Sequence, residues 1–290
     1  YLGCGPLPVQ FVNNAELADS MMWVISSLAG SDTLYTEAAN WDTTFSNPYA
    51  QQLNVRVEQH VWSSHGCYNS LVRNILVNPD VKSEFSMTPN GCAPLTVKFT
   101  NLSTNPGGAY QWNFGDGTPA SAIANPTHIF NYTGATDTTF NVTLLAISNP
   151  ALTPACNQTF TMPVRVYALP RPEFTINPEI LQLPEKVAVF SNTTPYRPNW
   201  KYTWFYGDGF TDTTGALTTS HDYGALVSEL SNTSVTVKLV ATNSQGCSDS
   251  VSHILVIKPV KPIVDFEPDT SGCAPLKVTF RNNSKYGNIF

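Results

Sequence analysis

Gly91-Cys92-Ala93-Pro94-Leu95-Thr96-Val97-Lys98-Phe99 decides the fold, because the chain repeats it. The run occurs again as Gly3-Cys4-Gly5-Pro6-Leu7-Pro8-Val9-Gln10-Phe11 and as Gly272-Cys273-Ala274-Pro275-Leu276-Lys277-Val278-Thr279-Phe280. A weaker copy, Leu183-Pro184-Glu185-Lys186-Val187-Ala188-Val189-Phe190, falls midway between the second and the last. The shared phenylalanines at 11, 99, 190 and 280 set a period of 88, 91 and 90 residues, the size of one β-sandwich domain. Trp23, Trp112 and Trp204 keep the same step, and so do Cys67, Cys156 and Cys247 near the end of each period.

Inside each period apolar residues alternate with polar ones, at Leu95, Val97 and Phe99, at Val235, Val237 and Leu239, and at Leu53, Val55, Val57 and later Val61. That period of two belongs to half-buried strands, and Gly-, Asn-, Asp- and Pro-rich clusters between them read as turns. The expected fold class is all-β: tandem immunoglobulin-like antiparallel β-sandwiches in a rod. The expected domains are 1–79, lacking its first strand, 80–169, 170–260, and 261–290 as the opening part of a further repeat. The fragment thus reads as starting and ending mid-domain. The junctions Asn78-Pro79-Asp80-Val81, Leu169-Pro170-Arg171-Pro172 and Lys258-Pro259-Val260-Lys261-Pro262 are short and Pro-bearing, which restrains neighbouring domains.

Only 12% of the 290 residues are charged, and the formal charge is -6 without a basic stripe. Nucleic acid is excluded as a partner on that ground, and anionic membrane surfaces are disfavoured. The most apolar stretch, Met21 to Ala29, is far shorter than the roughly 18–20 residues of a membrane span. Six cysteines stand far apart with no C-x-x-C pair, so disulfides in an oxidising compartment are expected.

Trp112-Asn113-Phe114-Gly115-Asp116-Gly117-Thr118 and Trp204-Phe205-Tyr206-Gly207-Asp208-Gly209 resemble the W-x-F-G-D-G signature of the polycystic-kidney-disease (PKD) repeat. Asn125-Pro126-Thr127-His128-Ile129-Phe130 and Ser220-His221-Asp222-Tyr223 follow in the expected order, each ahead of a long strand. The first repeat keeps Trp23 but reads Val24-Ile25-Ser26-Ser27 where Gly-Asp-Gly belongs, so its turn is expected to be built differently. The Gly-Cys-Ala-Pro-Leu opening with a later Gly-Cys is similar to PKD repeats in very large secreted surface proteins of Bacteroidota, including gliding-motility adhesins exported by the type IX system. The resemblance implies a non-catalytic extracellular stalk, filament or adhesin segment at the cell surface, without cofactor. Its implied partners are neighbouring repeats of the same chain, with surface glycans or like chains in a filament beside them. Accessory modules of a secreted polysaccharide- or protein-degrading enzyme stand as the alternative.

In the motif Trp112 and Trp204 can fill the space between sheets, while Gly115, Gly117, Gly207 and Gly209 supply positive φ and Asp116 and Asp208 accept backbone hydrogen bonds. Calcium at either aspartate is the competing reading, but one carboxylate falls short of the six to eight oxygens calcium prefers. Asp116 and Asp208 are copies in different repeats, not a catalytic pair. No H-E-x-x-H, G-x-S-x-G or phosphate-cradling loop occurs. His60, His65, His128, His221 and His253 show no metal-ligand spacing; His128 and His221 hold matching positions beside an aromatic residue, which argues for turn or core packing. Trp41, Trp62 and Trp200 are candidates for a sugar platform, although such residues more often pack at domain edges.

The cysteines carry a sharper expectation. Cys4, Cys92 and Cys273 are read in the turn between the first and second strands, and Cys67, Cys156 and Cys247 in the turn before the last. Five strands between those turns put them at opposite ends of a sandwich, too far for a disulfide. Cys4 should then join Cys156, and Cys92 should join Cys247, with Cys67 and Cys273 bonding to flanking repeats. A final pattern, Asp followed by Ser or Thr and then an apolar residue or Thr, resembles the O-glycosylation sequon of Bacteroidota and marks Ser20, Thr33, Thr43, Thr138, Thr213 and Ser250.

Overall fold

The computed structural model describes residues 1–27, 30–88, 90–104, 108–195, 199–225, 231–268 and 271–285. Two compact units result, one formed by Tyr1–Tyr132 with Asp137–Val166, the other by Thr133–Thr136 with Tyr167–Phe290. The chain is all-β, an array of sandwich modules. The first unit holds two of them.

In the first sandwich β1 (Leu2–Cys4), β3 (Ser20–Ser27), β4 (Gly30–Thr36), β6 (Leu53–Trp62) and β7 (Tyr68–Asn78) form a sheet ordered β1-β7-β6-β3-β4. Facing it are β2 (Leu7–Val12) and β5 (Asn40–Phe45). The alternation read from Val55 and Val57 puts both side chains in the core with Leu7, Phe11, Trp23, Ile25, Ile75 and Val77. Where the Gly-Asp-Gly turn is missing, β3 runs on to Ser27 and pairs with β4 as an extra hairpin, with a register shift at Ser26/Ser27.

The second sandwich sets β8 (Phe85–Met87), β10 (Leu95–Asn101) and β12 (Thr127–Phe130) against β9 (Gly91–Cys92), β11 (Ala109–Asn113), β13 (Thr138–Ile147) and β14 (Asn157–Tyr167). Its core gathers Phe85, Phe99, Trp112, Phe114 and Phe130. Phe85 packs edge-on against Trp112, with ring centroids 5.0 Å apart. An aromatic pair of this kind adds about 0.5–1.5 kcal/mol to the burial of its area.

The second unit repeats the plan. β15 (Phe174–Asn177), β17 (Val187–Asn192) and β20 (Thr218–Asp222) face β16 (Ile180–Gln182), β18 (Lys201–Phe205), β19 (Thr211–Asp212), β21 (Thr233–Thr242) and β22 (Ser248–Lys258). Phe174 meets Trp204 at 5.1 Å, as Phe85 meets Trp112. Beyond it β23 (Phe266–Pro268) and β24 (Phe280–Asn282) form a two-stranded piece whose phenylalanines are 58% and 66% exposed.

Two expectations about the early strands need correction. Pairing is antiparallel except at one edge, where β1 runs parallel to β7 and β16 parallel to β22. Cys4 and Cys92 therefore do not sit in a loop: Cys4 ends β1, opposite Asn78, and Cys92 ends β9, beside β14. The cause is backbone pairing, since Leu2–Cys4 satisfies its amides and carbonyls against the last strand and only Gly5 and Pro6 remain to cross to β2. Five strands separate the early cysteine position from the late turn in the first and third sandwiches. The second has four, β10 to β13, with the fifth reduced to a Trp112–Ser121 bridge.

Candidate functional site

Two constructions recur along the chain: the Gly-Asp-Gly turn and the cysteine-bearing edge. In the turn of the second sandwich Asp116 Oδ1 accepts from the Thr118 amide at 3.1 Å and from its hydroxyl at 2.6 Å, and Oδ2 lies 2.7 Å from Nε2 of His128. In the third sandwich Asp208 Oδ1 accepts from the Phe210 amide at 3.1 Å, and Oδ2 lies 2.6 Å from Nε2 of His221. A carboxylate only accepts, so Nε2 carries the proton in both pairs. Each imidazole stacks flat on the motif's aromatic ring, His128 on Phe114 at 3.9 Å and His221 on Tyr206 at 4.2 Å. Each also meets a second ring edge-on, Phe130 or Tyr223.

Burial raises the pKa of Asp116, but the hydrogen bonds from the Thr118 hydroxyl, His128 and the Thr118 amide outweigh it and hold the carboxyl below its ordinary value. Asp208 is lowered in the same way, burial being outweighed by His221 and the Phe210 amide. The aromatic partners differ between copies without leaving a polar group stranded. Where the second sandwich has Phe114 and Phe130, the third has Tyr206 and Tyr223, whose hydroxyls reach Thr219 Oγ1 at 2.9 Å and Tyr206 O at 3.0 Å. Burial pushes the Tyr223 phenol well above its usual range.

Gly115 and Gly207 are needed twice over. Their φ values are +77° and +87°, and a Cβ would stand 2.5 Å from Asn141 O or 2.6 Å from Thr236 O. Gly117 and Gly209 also have positive φ but face open space. The sequence identified the turn residues and missed their pairing with histidine. The signal was present in the matching positions of His128 and His221 downstream of each aspartate. The chemistry is that of a clasp: both oxygens of Asp116 are taken by protein donors, and among the described residues no three His, Cys, Asp or Glu side chains converge on a point that could hold a metal.

At the cysteine edge Cys4 is bonded to Cys156, with Cα atoms 5.6 Å apart across 152 residues of sequence. The bond joins the end of β1 in the first sandwich to the loop before β14 in the second. Around it the junction is hydrogen-bonded from both sides. Asn78, fully buried, donates through Nδ2 to Pro154 O at 2.8 Å and receives Gln52 Nε2 on Oδ1 at 2.8 Å. Asn47, also fully buried, donates to Val77 O at 2.7 Å and exchanges bonds with Asp80 through its amide and carbonyl. Ser83 donates its hydroxyl to Leu144 O at 2.9 Å and takes Gln158 Oε1 on its amide. Asn78 through Ser83 is thus a fitted strap, not a tether. The sequence marked Asn78-Pro79-Asp80-Val81 as a restraining junction through its proline and gave no role to the side chains of Asn47 and Asn78. Cys67 and Cys273 are free and exposed, and Cys247 is buried ahead of β22.

The sequon residues scatter over the surface. Ser20, Thr213 and Ser250 are exposed, Thr43 and Thr138 half-buried on β5 and β13, and the side chain of Thr33 on β4 lies outside the described residues. Trp41 stacks on Phe11 at 5.4 Å and Trp200 packs on the third core, so both serve their own cores. Trp62 lies against Tyr68 and His60 at the surface of the first sandwich.

The search of curated proteins finds no match. Among solved structures the chain is similar to mouse cadherin-23 EC22-24 at 12% identity, covering 89% of this chain and 94% of that one, with a TM-score of 0.29. It is similar at 11% identity to a structure concerning host cell surface retention of a 1.5-MDa bacterial ice-binding adhesin, covering 90% and 94%, with a TM-score of 0.32. Chicken CNTN1 FN1-FN3 matches at 9% identity over 86% and 94%, with a TM-score of 0.27. Residues 77–164 match the family model of the PKD domain, and the second sandwich is accordingly a PKD-type β-sandwich domain.

Proposed function

We propose that this chain is a non-catalytic, load-bearing segment of an extracellular surface protein, in which successive PKD-type sandwiches are clamped to one another by disulfides. The observation that carries the reading is the Cys4–Cys156 bond, which ties two consecutive sandwiches across a hydrogen-bonded strap. A disulfide of this span belongs to an oxidising compartment. By the repeat, Cys92 is assigned to Cys247, and Cys67 and Cys273 to flanking repeats. Each complete module is about 35 Å long if its strands run about ten residues. The finer reading places the chain among Bacteroidota surface adhesins exported by the type IX system, with O-glycans on Ser20, Thr33, Thr43, Thr138, Thr213 and Ser250 shielding strand edges. Small-angle scattering of the full chain tests the mechanical claim. An elongated particle that becomes more variable in length on reduction supports it, and a compact globule under oxidising conditions rejects it.

A further inference from the structure

The Cys4–Cys156 bond, between residues 152 apart in sequence, closes residues 5–155 into a covalent loop. That loop contains the core of the first sandwich, from Leu7 to Val77, and the core of the second apart from Val164 and Val166 on β14. Immediately outside it, on either side, the chain is extended. β1 has three residues and runs parallel to β7 toward the junction, so that Cys4 stands opposite Asn78, where the strap begins. β14 starts directly after Cys156 and runs eleven residues away from the junction, bringing Arg165 to Asn90 near its far end.

The line from β1 through the bond to β14 is therefore continuous and points one way. It is also nearly at full stretch, since a strand already rises about 3.3 Å per residue against a limit of about 3.3–3.6 Å. An extended strand pulled at both ends passes tension on without sliding past its neighbours, so the register of β14 on β13, from Asn157 opposite Ile147 to Val166 opposite Thr138, is not sheared. Without the bond the same pull would have to pass from Cys4 through Gly5 and Pro6 into β2, and would open the two sandwiches in series. The fold itself does not require sulfur at this place. In the third sandwich β16 forms the same parallel edge against β22, and Gln182 stands where Cys4 stands, donating to Pro259 O. The edge strand pairs without a cysteine, and Cys4 serves something beyond pairing.

We propose that Cys4–Cys156 is a bypass for tension. A pull that arrives ahead of Cys4 and leaves after β14 travels through β1, the bond and β14, and the cores of the first and second sandwiches carry no load while the bond stands. Reduction by a dithiol, which returns both sulfurs to thiols and is itself oxidised to a disulfide, puts both sandwiches back into the path. Forced opening is then set by the unfolding rate of each sandwich, where before it was set by a covalent bond. The inference rests on the load-bearing reading above and adds which parts of the chain bear the load.

Single-molecule pulling on the two ends of the full chain tests it, with Cys67→Ser, Cys92→Ser, Cys247→Ala and Cys273→Ser present so that no other bond acts. Oxidised, the chain is expected to give one large step of about 30 nm, from the third sandwich, which lies outside the loop. After a dithiol is added the same molecule should lengthen by about 50 nm more, the contour of the 152-residue separation. Cys4→Ser should release that length without reductant. Release of it by the oxidised chain, or no further length on reduction at forces that open the third sandwich, overturns the proposal. Either result leaves an elongated particle in scattering as it was, whereas a compact globule there removes both readings.

Discussion

Cys4 and Cys67 lie at opposite ends of one strand: Cys4 stands opposite Asn78, the last residue of β7, and Cys67 immediately precedes Tyr68, the first. The eleven residues of β7 hold them about 35 Å apart, several times the reach of a disulfide. In the second sandwich Asn90 bonds the Arg165 amide near the end of β14, while Cys156 precedes its start, so Cys92 and Cys156 are separated likewise. The early cysteine of a repeat can only reach outside it.

Removing the clamp should loosen the junction and spare the cores. Cys4→Ser with Cys156→Ser is expected to cost about 2–4 kcal/mol, and hydrogen exchange should accelerate at Gly5, Asp80 and Ser83 while Val55 and Val142 stay protected. Exchange that rises in the cores as well would show the disulfide supporting folding rather than the joint.

The aspartate clasps predict an acid limb of stability. Asp116 and Asp208 have folded-state pKa values depressed from 3.8, so their contribution is complete above that value and is lost as pH falls through the folded values. Asp116→Asn should lower stability at pH 7 by about 1–3 kcal/mol and flatten the loss below pH 4 in the second sandwich. A variant with an unchanged acid limb would contradict the assignment.

Glycines in the turn should separate by environment. Gly207→Ala forces a Cβ against Thr236 O and is expected to cost about 2–4 kcal/mol, whereas Gly209→Ala adds only backbone strain, about 1–2 kcal/mol. Urea unfolding of the two variants gives the difference directly.

The two fully buried tryptophans, Trp112 and Trp204, should separate too. Trp204 Nε1 donates to Ala216 O at 3.2 Å, while Trp112 Nε1 finds no acceptor among the described residues. Trp204→Phe is expected to cost about 1 kcal/mol more than Trp112→Phe, read from the unfolding free energy of each sandwich.

Much of this was legible because the repeat is written in large residues. Phe99, Trp112 and Cys156 recur at fixed step, and the alternation at Val55 and Val57 matches the buried face of β6. The parallel edge strands were hidden because three residues such as Leu2–Cys4 carry no periodicity. The Asp116–His128 clasp was hidden because its partners sit on different strands, and nothing local pairs them. The part played by asparagine at the Asn78–Ser83 strap escaped for a different reason: asparagine is read as a turn residue, yet Asn47 and Asn78 are fully buried and direct their amides to the junction.

Non-reducing peptide mapping of the oxidised full chain bears most directly on the clamp between successive repeats. Cys4 linked to Cys156 and Cys92 linked to Cys247 are the expected peptides. Cys4 linked to Cys67, or Cys92 linked to Cys156, would contradict it.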